Sequence, residues 1–192
     1  MPLLHGFIKR KKIQICKKHA FTRSCEFFNK FSLKNIRSGD RMAPTSSAMH
    51  SVNSEIYTHI IHHLHPIMES QTELKLKPIY SYNRIYYGGS ELKKHKDRAS
   101  CEISASIGLN YNYENPNYMW PLCMGDFPLK IKPGDGVIYK GSEIDHWRPI
   151  FNQPEKCWHH QLFIHYVNAN GPFKDYEPED SFENLNKNLN RE

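Results

Sequence analysis

Leu92-Lys93-Lys94-His95-Lys96-Asp97-Arg98 and Ile144-Asp145-His146-Trp147-Arg148 are the segments on which the reading of this chain turns. In an extended segment, residues i and i+2 point to the same side, so His95 and Asp97 can present two donor atoms to one point. A third donor has to come from elsewhere. His146 brings a second imidazole 49 positions after Asp97, beyond several strand-like stretches. Two imidazoles and one carboxylate are a donor set that suits a non-haem Fe(II) centre with coordination positions left open. Alone, His-x-Asp occurs by chance in many proteins, and its meaning depends on what surrounds it.

Working outward, the flanking text reads as β-structure. Ile79 to Tyr87 is rich in β-formers and ends in the turn Gly88-Gly89-Ser90. Cys101 to Leu109 is a second strand. Phe127 to Ile131 and Gly136 to Tyr139 flank Pro133-Gly134-Asp135, a turn in which Gly134 can take positive φ. Trp158 to Val167 makes the last strand, with Leu162, Ile164 and Tyr166 on one face and Phe163 and His165 on the other. Ahead of these strands a helix is expected from Asn53 or Ser54, with Ile56, Ile60, Leu64 and Ile67 at near-helical spacing and Pro66 kinking or ending it. His59, His62, His63 and His65 surround that helix without a paired carboxylate, and read as a solvated or partly buried face. One helix followed by several short strands predicts a mainly β protein with a flanking helix (α+β), arranged as a sandwich or barrel of antiparallel strands.

The charge is unevenly placed. Of 192 residues, 26 are Lys or Arg and 20 are Asp or Glu, a net +6. Eleven of the bases but only Glu26 and Asp40 of the acids fall in residues 1–45, so the remainder carries a formal −3. The basicity belongs to the N-terminus, and the folded part has no electrostatic reason to bind nucleic acid. Residues 1–48 read as a disordered extension or a targeting segment, 49–172 as the folded domain, and 173–192 as a polar tail that frays from Leu185. Five cysteines with no Cys-x-x-Cys pair suit a reducing compartment. No apolar run is long enough for a membrane span. The expected location is cytoplasmic, with organelle import through the basic N-terminus as the alternative.

The order Arg84-Ile85-Tyr86, Gly88-Gly89, Leu92, His95-x-Asp97-Arg98, Cys101-Glu102-Ile103-Ser104, Trp120-Pro121-Leu122, Pro133-Gly134-Asp135, Tyr139, Gly141 and His146-Trp147-Arg148 resembles the iron(II)- and 2-oxoglutarate-dependent dioxygenases, in the branch similar to prolyl hydroxylases. The resemblance covers roughly residues 54 to 170. It implies a double-stranded β-helix, or jelly roll, of cupin-like form, with Fe(II) held by His95, Asp97 and His146. It also implies 2-oxoglutarate as cosubstrate and O2 as oxidant, giving succinate, CO2 and oxidation of a substrate C–H bond. Three protein ligands leave three octahedral positions for a bidentate cosubstrate and O2, which a closed four-ligand site would not.

In the family the far carboxylate of 2-oxoglutarate meets an Arg or Lys on the final strand, about ten positions after the second histidine. Lys156 stands at that offset, but Pro154-Glu155-Lys156 reads as the end of a loop. Arg148, two positions after His146 and able to grip a carboxylate with two hydrogen bonds, ranks first as its anchor. Lys156 ranks second, and Arg84, in phase with Tyr82 and Tyr86, third. Tyr86 resembles the tyrosine that relatives place near the cosubstrate, and reads equally as a packed strand aromatic. Cys101 and Cys157 read as small buried hydrophobes. The expected activity is a hydroxylase acting on a protein side chain or a small metabolite; the alternative is a non-catalytic metal-binding jelly roll that acts in binding.

Overall fold

The computed structural model describes residues 13–16, 37–38, 48–52, 55–179 and 182–191, with side chains from residue 59 onward and for part of the last helix. Most of the basic extension, and with it the targeting reading, lies outside the described residues. The strands are β1 (Ile13–Cys16), β2 (Arg37–Ser38), β3 (Ala48–Val52), β4 (Leu76–Tyr87), β5 (Leu92–His95), β6 (Ile103–Asn112), β7 (Leu122–Met124), β8 (Phe127–Leu129), β9 (Gly136–Tyr139), β10 (His146–Arg148) and β11 (Trp158–Asn168). Two helices flank them, α1 (Glu55–Thr72) and α2 (Phe182–Leu189).

The strands form two antiparallel sheets. The larger has the order β1-β9-β6-β11-β4-β3-β2 and the smaller β5-β10-β7-β8. Strands adjacent in space are mostly distant in sequence, as in a jelly roll, where the chain alternates between two facing sheets. At the centre, β11 lies between β4 and β6, with His165 opposite Tyr80 on one side and Ser104 on the other.

Alternation along β11 decides what each face meets. Leu162, Ile164 and Tyr166 pack outward with Ile103, Ala105 and Ile107 of β6 against Ile60, Ile61, Leu64 and Met68 of α1. Full burial of such a side chain is worth about 1.5–3 kcal/mol, so this layer anchors the helix to the sheet. The opposite face of the large sheet carries Tyr80, Tyr82, Arg84, Phe163 and His165, which line a cavity shared with the smaller sheet. Helix α1 runs through Pro66 to Thr72 instead of ending there. His59, His62 and His63 are exposed.

After β11 the chain does not simply fray. Tyr176 packs with Ile79 and Val167. The buried Asn188 of α2 accepts from the Glu177 N–H at 2.9 Å and donates to its carbonyl at 2.7 Å, so one polar side chain satisfies both backbone groups of that residue. Among the described residues, no helix is long and apolar enough to cross a membrane.

Candidate metal centre

The smaller sheet brings the two histidines together. His146 opens β10 and pairs in register with His95 at the end of β5, and their ring centroids are 4.3 Å apart. Asp97 lies just beyond β5, where its N–H donates to the Gly141 carbonyl at 3.0 Å. A Cβ on Gly141 would stand 2.6 Å from Asp97 Oδ2 and 2.6 Å from Ser104 Oγ. Only a glycine lets the backbone come this close to the carboxylate.

Both imidazoles are oriented through Nδ1. That of His95 is 2.7 Å from the Lys93 carbonyl and that of His146 is 3.0 Å from the Ile144 carbonyl. A carbonyl only accepts, so each Nδ1 carries the proton and Nε2 is the donor atom left for a metal. The two Nε2 atoms lie 3.6 Å and 3.4 Å from Asp97 Oδ1. Ligands at about 2.1 Å on one octahedral face stand roughly 3 Å apart, so the three donors need little movement to share one ion. His95, Asp97 and His146 therefore fit a divalent metal by donor type, tautomer and spacing.

Electrostatics agree. Burial opposes ionisation of Asp97, but in the metal-free site the neighbouring imidazoles of His146 and His95 outweigh it and hold the carboxyl well below the usual range. For His146, burial works against the proton, yet Asp97 prevails and its pKa is raised. A metal bound here replaces that proton as the counter-charge of Asp97.

The three cations proposed for the cosubstrate occupy different settings. Lys156 is 72% exposed and pairs with Glu114 at 2.9 Å, outside the cavity. Arg84 lines the cavity and donates to the phenol oxygens of Tyr82 at 2.7 Å and Tyr86 at 3.2 Å. Arg148 is buried on β10 with its guanidinium 4.7 Å from the Trp120 ring centroid. It donates to the Trp120 carbonyl at 3.0 Å, to His159 Nε2 at 3.3 Å and to Gln161 Oε1. Burial and then Arg148 push the His159 pKa well down, so the imidazole is neutral; its Nε2 also lies 2.9 Å from Gln161 Oε1 and its Nδ1 2.7 Å from the Tyr113 hydroxyl. None of these acceptors is a carboxylate, and among the described residues Arg148 Nε has no hydrogen-bond partner. Tyr86 is fully buried between the two arginines, its ring 5.3 Å from the Arg84 guanidinium carbon and 6.0 Å from that of Arg148.

The cavity, of about 210 Å³, is lined by the triad with Tyr80, Tyr82, Arg84, Phe163 and His165 among others. Sequence reasoning passed over Tyr80 and Ser104. Ser104 Oγ contacts both Asp97 Oδ2 (3.4 Å) and His165 Nδ1 (2.8 Å). The signal for Ser104 was its inward phase, shared with Ser106, in the apolar first half of β6. Glu102, just ahead of β6, accepts from the Asn168 N–H at 2.8 Å. Arg98 meets both oxygens of Glu179 at 2.9 Å.

A large and a small antiparallel sheet make a jelly roll, with the His-x-Asp…His cluster between them, and solved structures of iron(II)/2-oxoglutarate oxygenases share that fold. A Pseudomonas putida prolyl-4-hydroxylase superposes with a TM-score of 0.60 at 12% identity over 86% of this chain and 97% of its own. HygX from Streptomyces hygroscopicus, crystallised with nickel and 2-oxoglutarate, gives 0.63 at 11% identity over 86% of each chain. SnoN, a non-haem α-ketoglutarate-dependent epimerase of nogalamycin biosynthesis, gives 0.66 at 10% identity over 94% of this chain and 90% of that one. No protein-family model matches the sequence, and no curated protein matches it. What is shared with these structures is the fold.

Proposed function

We propose that this protein is an Fe(II)- and 2-oxoglutarate-dependent dioxygenase of the hydroxylase type. The observation that carries the reading is the convergence of His95 Nε2, His146 Nε2 and Asp97 Oδ1 at the cavity wall, each imidazole already holding its proton on the other nitrogen. When bound, iron with 2-oxoglutarate and O2 supplies the oxidant for a substrate C–H bond, releasing succinate and CO2. The residues of this chain do the rest: they hold the ion on three donors, leave its other side to the cavity and keep one cation for the cosubstrate.

Arg148 is the residue we assign to the far carboxylate of 2-oxoglutarate. A buried guanidinium with only neutral acceptors is costly, because leaving water is offset only when an anion comes within reach. A bound carboxylate would provide that charge, take up the unsatisfied Nε and form charge-assisted bonds. Gln161, itself bonded to Ser106 Oγ at 2.6 Å, and the neutral His159 hold the guanidinium in place meanwhile. Arg84, which lines the cavity where the buried Arg148 does not, is assigned to the primary substrate side, with Tyr80, Tyr82 and Phe163 as its apolar wall.

The substrate is a protein side chain or a small metabolite. Similar scaffolds accept both: a prolyl hydroxylase of Trichoplax adhaerens is seen with a hypoxia-inducible-factor peptide, and HygX with hygromycin B. The test is Fe(II)-dependent conversion of 2-oxoglutarate to succinate by purified protein, with and without a substrate panel. Turnover that needs iron and vanishes in Asp97→Ala supports the enzyme. Iron retention with no turnover under any condition points to a non-catalytic binding module.

A further inference from the structure

A second group of metal-binding side chains lies against the first. Asp97, Cys101 and His165 bring one ligand atom each to within 4.8 Å of one another. Cys101 is 1% and His165 4% exposed, and both line the cavity of the triad. The fold places them there for identifiable reasons. A single 3-10 turn, Ala99–Cys101, returns the chain beneath Asp97, and His165 projects from β11 directly opposite Ser104.

The surroundings of the group are fixed. His165 Nδ1 lies 2.8 Å from Ser104 Oγ, and its ring packs on Tyr80 with centroids 4.4 Å apart. The Tyr80 hydroxyl is 3.2 Å from Cys101 Sγ, placed to donate to a thiolate. A tetrahedral centre with bonds of about 2.0–2.3 Å sets its ligand atoms roughly 3.5 Å apart, so closing this group needs side-chain shifts of about 1 Å. Supporting Asp97 would require only Ser104 and His165. It gives no reason for a thiol at the same point.

We propose that Asp97, Cys101 and His165 form a second metal site, selective for a thiophilic divalent ion of the zinc type, with water as fourth ligand. A donor set of sulfur, nitrogen and carboxylate favours zinc over iron, and zinc stands above iron in general affinity. Binding releases the thiol proton to solvent and involves no redox change. Asp97 is common to both groups, so zinc in the second site opposes iron in the first. Only this antagonism rests on the iron assignment; the site itself stands on the three side chains.

Cobalt(II) serves as the probe, added to metal-free full-length protein and read by thiolate-to-cobalt absorption in the near ultraviolet. The band is expected in the wild type and in His146→Ala, which destroys the iron triad but not the second group. It is expected to disappear in Cys101→Ser, and to persist when Cys16, Cys25, Cys123 and Cys157 are all Ser and Cys101 is the sole thiol. Absence of the band in the wild type, its persistence in Cys101→Ser, or its loss in the sole-thiol variant overturns the site. For the antagonism, the Zn2+ concentration that expels half of the bound iron should rise about tenfold in Cys101→Ser. An unchanged concentration overturns it, whatever the outcome of the 2-oxoglutarate assay.

Discussion

The two oxygens of Asp97 face different neighbours: Oδ1 meets the imidazoles of His95 and His146, and Oδ2 lies beside Ser104 and the backbone of Gly141. Gly141→Ala would drive a methyl group into that carboxylate, and is predicted to weaken Fe(II) affinity by about tenfold or more while the fold survives, as read by iron titration and circular dichroism. Unchanged affinity would mean that Asp97 has room to move. Arg148→Ala removes bonds worth about 1.5–3 kcal/mol to a charged acceptor, so the KM for 2-oxoglutarate should rise roughly ten- to a hundredfold with iron still bound. If KM stays put and rises instead in Arg84→Met, the cosubstrate lies on the cavity side of Tyr86. Iron and protons compete for His146, whose pKa is raised above its ordinary value by Asp97 despite burial. Iron retention should therefore fall as the pH drops through and below neutrality; affinity constant down to about pH 5 would argue against histidine ligation.

At the scale of elements, what was legible in the sequence is what has length and alternation. β4 and β11 are long and rich in β-formers, so their existence follows from the residues, and the period of two gives the two faces of β11 although both are buried. β5 (Leu-Lys-Lys-His), β7 and β10 have three or four residues each and no periodic signal of their own; pairing with neighbours makes them strands. The metal ligands could be found because side-chain chemistry marks them, although the strands carrying two of them could not. Pro66 does not stop the helix, because the turn beyond it is held by Met68 in the core. That packing predicts a cost of about 2–5 kcal/mol for Leu64→Ala, measurable by denaturant unfolding. A loss below 1 kcal/mol would show that α1 is not an integral layer.

For the whole molecule, the interior of the large sheet holds neutral histidines. Burial pushes His160 down to about 4, and burial likewise takes His165 to about 4. Such groups bind fewer protons folded than unfolded, so the stability they contribute is intact above the ordinary histidine pKa and is lost between about pH 6.5 and 4. His146 works in the opposite sense, since its raised pKa stabilises the metal-free fold on the acid side and that contribution fades as pH rises. With three groups against one, His159 being pushed down by burial as well, the metal-free protein should melt at progressively lower temperature from pH 7 to pH 4; a flat profile would show that these imidazoles are hydrated. The account as a whole depends on whether the three converging donors hold iron in a form that accepts 2-oxoglutarate. The most direct measurement is anaerobic addition of 2-oxoglutarate to the Fe(II)-loaded protein, followed by visible absorption. A charge-transfer band that saturates at one equivalent, and is missing in His146→Ala, is the predicted result; iron that binds with no band at any 2-oxoglutarate concentration would contradict it.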